Sequence, residues 1–212
     1  MNMGFDIHEV IASLMARRPV FHSEADFQHE LAWAIREADM DAELRLEVPV
    51  RFLGSQNYLD IFVRSKGVRY GIELKYKTRA EKISLKGEEF SLAHHGAQPL
   101  GFYDFMKDIS RLEKMIGFGT IDEGFAVMLT NEKTYSQPSK RVDTNGEIFR
   151  THHGRVVTGD LAWPEATSAG MKKSREASLS LTGSYTLRWS DIVTHQQLKF
   201  PFRYIAVHVA AK

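Results

Sequence analysis

The sequence predicts an α/β fold, with a mixed central sheet flanked by helices and further strands near the C-terminus. Three observations predict it. Two segments before residue 40 repeat apolar residues at helical spacing. Three strand segments follow between residues 43 and 77. A helix over 99–117 then leads into the unbroken apolar run Phe125-Ala126-Val127-Met128-Leu129, which marks a central strand covered on both faces. The expected order is helix, three strands, helix, strand.

Ile7, Val10, Ile11, Leu14 and Met15 place a helix over 6–18, and Pro19 ends it by pushing its predecessor out of the α region. Ser23-x-x-Asp26 resembles a capping box and starts a second helix striped by Phe27, Leu31, Ala34 and Ile35. Glu24 falls inside that stripe and Glu30 at its edge. A buried acid needs a partner. The plainer role for Glu24 is the first helical turn, where the helix dipole favours acids.

Leu44, Leu46, Val48 and Val50 alternate and are expected on one face of a strand over 43–50, with Pro49 at its end or on a sheet edge. Gly54-Ser55-Gln56-Asn57 reads as a turn. Tyr58–Arg64 and Val68–Lys77 then read as the arms of a hairpin around Ser65-Lys66-Gly67, where glycine supplies the positive φ of a short connection.

Residues 79–98 are expected to form a small hairpin or loop turning at Lys86-Gly87-Glu88. His94 and His95 are adjacent and do not easily face one ion, and they have no partner at zinc-like spacing, so a structural or solvent role is expected. The helix from Pro99 to Gly117 buries Phe102, Phe105, Met106, Ile109, Leu112 and Ile116. Asp104, Asp108 and Arg111 share a flank of it. Asp108 and Arg111 suit an i,i+3 pair, with a phosphate contact as the alternative for Arg111.

Residues 131–183 read as a long polar loop region. It holds His152 and His153, which lack the constellation of a histidine nuclease, and the basic tract Lys172-Lys173-Ser174-Arg175, read as a nucleic-acid contact or a solubilising tract. Residues 184–212 supply additional strands: Tyr185–Trp189, a short helix or turn over 190–197, and Phe202–Ala210. These either extend the sheet or form a subsheet.

A chain of 212 residues suits one domain, here 1–212 with a core at about 21–130. The absence of cysteine excludes disulfides and thiolate metal sites and fits a reducing compartment, so a cytoplasmic location is expected. No long apolar run suggests a membrane partner. Net charge is +1, yet Asp60–Lys86 carries eight basic residues against three acids, a local stripe suited to a phosphate backbone or to a solvated surface.

Strand alternation sets Gly71, Glu73, Lys75 and Lys77 on one face of the second hairpin arm, with Asp60 on the neighbouring arm. Converging carboxylates repel unless a cation sits between them, and hard oxygen ligands suit Mg²⁺. Asp60, twelve intervening residues, then Glu73-Leu74-Lys75 resembles the motif of the PD-(D/E)XK nuclease superfamily, with Leu59 where the family name has proline.

The resemblance implies a restriction-endonuclease-like core, made of a helix, a three-stranded antiparallel meander, a helix and a strand. It implies metal-dependent hydrolysis of phosphodiester bonds, expected in DNA. Asp60 and Glu73 would hold Mg²⁺, or Mn²⁺ in its place, with the Leu74 carbonyl as a further ligand. Lys75 would assist the attacking water, and Glu24, or else Glu30, would be the helix acid. Lys77, Arg79, Arg111, Lys172 and Lys173 are the candidate nucleic-acid contacts. Cutting both strands at once would suit a homodimer. The alternative is a catalytically inactive nucleic-acid-binding module on the same fold.

Overall fold

Asp6 accepts the amide N–H groups of His8 and Glu9 and so starts the first helix, α1 (Ile7–Arg17). Ser23 does the same for α2 (Glu24–Ala38) through the Asp26 amide. The Asp26 carboxylate reaches back to the His22 amide and to Arg18, a variant of the capping box. The computed structural model describes residues 5–52, 55–141, 144–192 and 197–211.

After α2 come β1 (Glu43–Phe52), β2 (Ser55–Ser65), β3 (Val68–Lys77), β4 (Glu81–Leu85), β5 (Glu88–Leu92), α3 (Gln98–Gly117) and β6 (Glu123–Thr130). A 3-10 turn (Glu147–Phe149), β7 (Val156–Leu161), β8 (Leu179–Thr186), β9 (Trp189–Asp191) and β10 (Arg203–Ala210) complete the order. The architecture is α/β. The central sheet runs β1-β2-β3-β6-β10-β9 and is mixed: β3 and β6 are parallel and every other neighbouring pair is antiparallel. β1 lies at the sheet edge, where Pro49 costs no ladder bond to a further strand.

One face of the sheet buries Ile72, Leu74, Tyr76, Phe125, Val127 and Leu129 against α1, α2 and the β4–β5 hairpin. The other buries Ala126, Met128 and Ile205 against α3 and the β7–β8 hairpin. Gly71 and Gly124 are direct partners in the parallel β3–β6 pair, and both lie under Leu112 of α3. With no side chain in the way, the helix settles close to the strand that carries Glu73 and Lys75.

Several expectations are corrected. The turn expected at 54–57 is strand from Ser55 onward, while Gly54 lies outside the described residues. Leu44, Leu46, Val48 and Val50 do not share a face. The first two pack with the α1–α2 side and the last two with the α3 side. The cause is Glu47, whose φ of 52° interrupts the alternation.

Residues 131–183 are not simply a long polar loop. Tyr135, Phe149, Val157, Leu161, Trp163, Leu179 and Leu181 are buried there. Glu113 of α3 anchors the hairpin by accepting from the amides of Thr182 (2.9 Å) and Gly183 (2.6 Å) and the Tyr185 hydroxyl (2.8 Å). The strand expected from Tyr185 to Trp189 is split between β8 and β9, and 193–196, in the expected helix or turn at 190–197, lie outside the described residues. The late strands do both things expected of them: β9 and β10 extend the central sheet and β8 joins the subsheet.

Gly124→Ala tests the close approach of α3. A Cβ there would stand 2.8 Å from Leu112 Cδ2 and 3.2 Å from the Gly71 carbonyl oxygen. The expected cost is about 1–3 kcal/mol, seen as a lower urea midpoint at unchanged slope.

Candidate active site

The β2–β3 ladder stops at the pair Ile61–Ile72. One step further, the same register sets Asp60 across from Glu73, and the strands part. The kink at Glu47, across β2 from this point, swaps the faces of both outer strands: Leu59 packs on the α3 side and Ile61 on the other. The Gln28 amide holds the kink, donating to Glu47 Oε1 and to the Asp60 carbonyl oxygen, each at 2.7 Å.

Parting from β2 leaves alternate amides of β3 without a strand partner, and a buried N–H must be satisfied. Side chains supply the acceptors. Asp60 Oδ2 takes the Leu74 amide at 2.5 Å, Glu24 Oε2 takes the Tyr76 amide at 2.7 Å, and His95 Nδ1 takes the Thr78 amide at 2.9 Å. Two carboxylates are thereby fixed along one strand edge, beside Glu73.

From the other side α3 brings Asp108 and Arg111. Lys75 Nζ lies 2.7 Å from Asp108 Oδ2 and donates to the Leu74 carbonyl at 2.8 Å. Arg111 Nη1 donates to Glu73 Oε2 at 3.2 Å, and Nη2 lies 3.1 Å from Oε1 and donates to the Tyr58 carbonyl at 2.5 Å. Glu73 is 1% exposed and Asp108 3%. Glu24, Asp60, Glu73 and Asp108 thus set four carboxylates against two cations, Lys75 and Arg111.

Burial and this imbalance raise three of the acids, Asp60, Glu73 and Asp108, above their ordinary range. Asp60 is pushed up to about 6, first by burial and then by Asp108 and Glu24, against the opposing pull of Lys75 and the Leu74 amide. Glu73 is raised well above the usual carboxylate range by burial and by Asp108, more than Arg111 offsets. Burial raises Asp108 as well. For Lys75 burial would favour the neutral amine, but Asp108, Glu24 and Asp60 outweigh it and hold the ammonium firmly charged.

A divalent cation suits the donors present. Asp60, Glu73 and the Leu74 carbonyl offer hard oxygens, and the cluster sets four carboxylates against only two cations, both of which already contact Glu73 or Asp108. The described residues gather no set of three or more Asp, Glu or His able to enclose a metal. A site of two carboxylates and one carbonyl would therefore depend on water and phosphate oxygens to complete it, as Mg²⁺ sites commonly do.

The sequence-derived candidates divide. Asp60, Glu73, Leu74, Lys75, Glu24 and Arg111 come together. Glu24 does so from an exposed first turn rather than from the buried stripe, whereas Glu30 is turned to Arg18 at 3.0 Å. Lys77 lines a depression of about 270 Å³ with Glu24, His22 and His95. Arg79 stacks over Phe200, with 4.1 Å from guanidinium to ring centre. Lys172 and Lys173 sit in a turn beyond α3, before Ser174.

His95 is built into the fold by Thr78, and His153 by the Trp189 amide and the Ser136 carbonyl. Asp108, Gln28 and Glu47 were missed as site residues. Asp108 had a readable signal: at about 100° per residue it falls between Met115 and Leu112 on the helical wheel, an acid inside an apolar stripe.

Asp60 should make stability depend on pH. Its folded-state pKa of about 6 lies above the ordinary 3.8, so as pH rises the unfolded chain loses this proton first and unfolding gains. The penalty is absent below pH ~4 and complete above pH ~6. Asp60→Asn should therefore match the parent near pH 4 and exceed its stability at pH 7.5 by on the order of 1–3 kcal/mol, in urea titrations across that range.

Set against protein-family models, curated proteins and solved structures, the chain matches none, and the reading of the site rests on its own residues and their geometry.

Proposed function

We propose that the protein is a divalent-metal-dependent nuclease with a restriction-endonuclease-like core of the PD-(D/E)XK type, acting on DNA. The observation that carries this reading is the convergence of Asp60, Glu73 and Lys75 in a buried cluster short of positive charge. The element order around them is the one such a core would have, with the β4–β5 hairpin inserted before α3.

Asp60, Glu73 and the Leu74 carbonyl would hold Mg²⁺ or Mn²⁺. The bound ion supplies Lewis-acid polarisation of the phosphoryl oxygen and an acidified water. Metal binding would favour the ionised form of both carboxylates, whose pKa values the metal-free cluster raises. Lys75 serves as a cation rather than a base, because its acidic neighbours keep it protonated. Its ammonium stands ready to stabilise the charge that grows on the phosphate as water attacks and the ester oxygen leaves. Asp108 positions that ammonium. Glu24 fixes the Tyr76 amide and adds negative charge.

A second reading, a nucleic-acid-binding module without catalysis, is favoured by the pairing already made. Arg111 occupies both oxygens of Glu73, and Asp108 occupies Lys75.

Plasmid cleavage with Mg²⁺ or Mn²⁺ separates the readings. The parent should nick DNA, and Asp60→Ala, Glu73→Ala and Lys75→Ala should each lower the rate by roughly 100-fold or more. Equal activity in all four proteins would discard the assignment. Calorimetry should show Mn²⁺ binding that Glu73→Ala abolishes, with a heat that varies with buffer ionisation because the carboxyls release protons.

A further inference from the structure

One face of α3 carries Lys107, Arg111 and Lys114 at i, i+4 and i+7, and Phe118 follows as the helix's C-cap. Together they line one side of a groove of about 350 Å³. Lys107 to Lys114 spans roughly 10 Å of helix axis at 1.5 Å per residue. Neither lysine has a carboxylate partner among the described residues, and both are exposed. Phe118 is 64% exposed.

The facing wall is the segment Ser174–Leu179, and it is firmly built. The Tyr103 hydroxyl donates to the Ala177 carbonyl at 2.9 Å, and Trp163 Nε1 to the Arg175 carbonyl at 2.8 Å. Arg175 grips both oxygens of Asp104 at 2.6 and 2.7 Å. At its inner end the groove meets Arg111, whose guanidinium lies on Glu73.

We propose that this groove binds an unpaired nucleic-acid strand, with Lys107, Arg111 and Lys114 along its phosphates and Phe118 stacked on a base. A row of cations ending in an exposed aromatic ring is the arrangement that holds single strands without reading sequence. A groove of about 350 Å³ is on the scale of one strand's backbone rather than of a duplex. The β7–β8 region is then the second jaw of a clamp that delivers a phosphodiester to Glu73 and Lys75. The proposal rests on the nuclease reading for what happens at that end. Binding itself does not depend on catalysis.

The test measures anisotropy of a fluorescein-labelled single-stranded oligonucleotide with the full chain in EDTA. Lys107→Glu with Lys114→Glu should weaken binding at least 10-fold and lower the slope of log K against log salt by about 1.4, two phosphate contacts at 0.7 each. The milder pair Lys107→Gln with Lys114→Gln should show a smaller loss in the same direction. Phe118→Ala should cost about 5-fold or more. Lys66→Glu with Lys82→Glu, on the exposed hairpin surface, should change binding less than 2-fold, and a blunt duplex should bind more weakly than the single strand.

The proposal is overturned if the parent does not bind, if the hairpin pair loses affinity while the groove pair keeps it, or if a duplex binds equally well. Glu73→Ala releases Arg111 from its carboxylate and should bind the strand more tightly than the parent does. Intact binding with no cleavage by the parent would sink the nuclease reading and leave the groove standing.

Discussion

Everything in the candidate site follows from the point where β3 loses its neighbour. Beyond Ile72 the strand stays paired to β6 on one side but has no ladder on the other. A central strand cannot leave its amides bare. Asp60, Glu24 and His95 take the three N–H groups that a β2 carbonyl would otherwise have met or left exposed. The carboxylates are therefore gathered by the backbone's need for acceptors, and their mutual repulsion is a consequence. The kink at Glu47 is the local cause, because it turns both outer strands aside at the level of Asp60.

The gathering would be untenable without α3. Gly71 and Gly124 let the helix lie close, so that Asp108 and Arg111 reach Lys75 and Glu73 across the interface. Removing one member of such a buried pair is costly, while the pair as a whole adds little stability. Two cations still do not balance four acids, and the raised Asp60 carboxyl lowers stability near neutral pH, where it must ionise. A fold selected only for stability would have apolar groups here. An under-neutralised cluster lies at the inner end of the groove, and a bound cation would offset its excess negative charge.

The α/β class and the helices were legible because periodicity reports burial directly: Ile7 to Met15 and Phe102 to Ile116 repeat as helices do. The convergence of Asp60 with Glu73 was legible too, because alternation and a short hairpin constrain which residues can meet. What escaped was whatever depends on one irregular residue or on distant partners. Nothing in Glu-Leu-Arg-Leu-Glu-Val-Pro-Val marks Glu47 as left-handed, so the change of face at Val48 could not be read. The core of 131–183 is spread over Tyr135, Phe149, Trp163 and Leu179, too far apart to leave a period. Asp108 and Arg111 were seen as neighbours on one helix, yet each finds its closer partner on β3.

Arg111 joins the acidic cluster to the groove. The same guanidinium neutralises Glu73, ties the Tyr58 carbonyl and forms the inner end of the groove. One planar group cannot serve a carboxylate and a phosphate at full strength at once, because its donors point in a fixed fork. A phosphate drawn along Lys114 and Lys107 therefore competes with Glu73 for Arg111. Whatever charge Arg111 gives to that phosphate is withdrawn from Glu73, and the carboxylate's demand for another cation rises by the same amount. On the proposed reading, anion binding in the groove and cation binding at Asp60 and Glu73 would thus be favourably coupled through a single side chain.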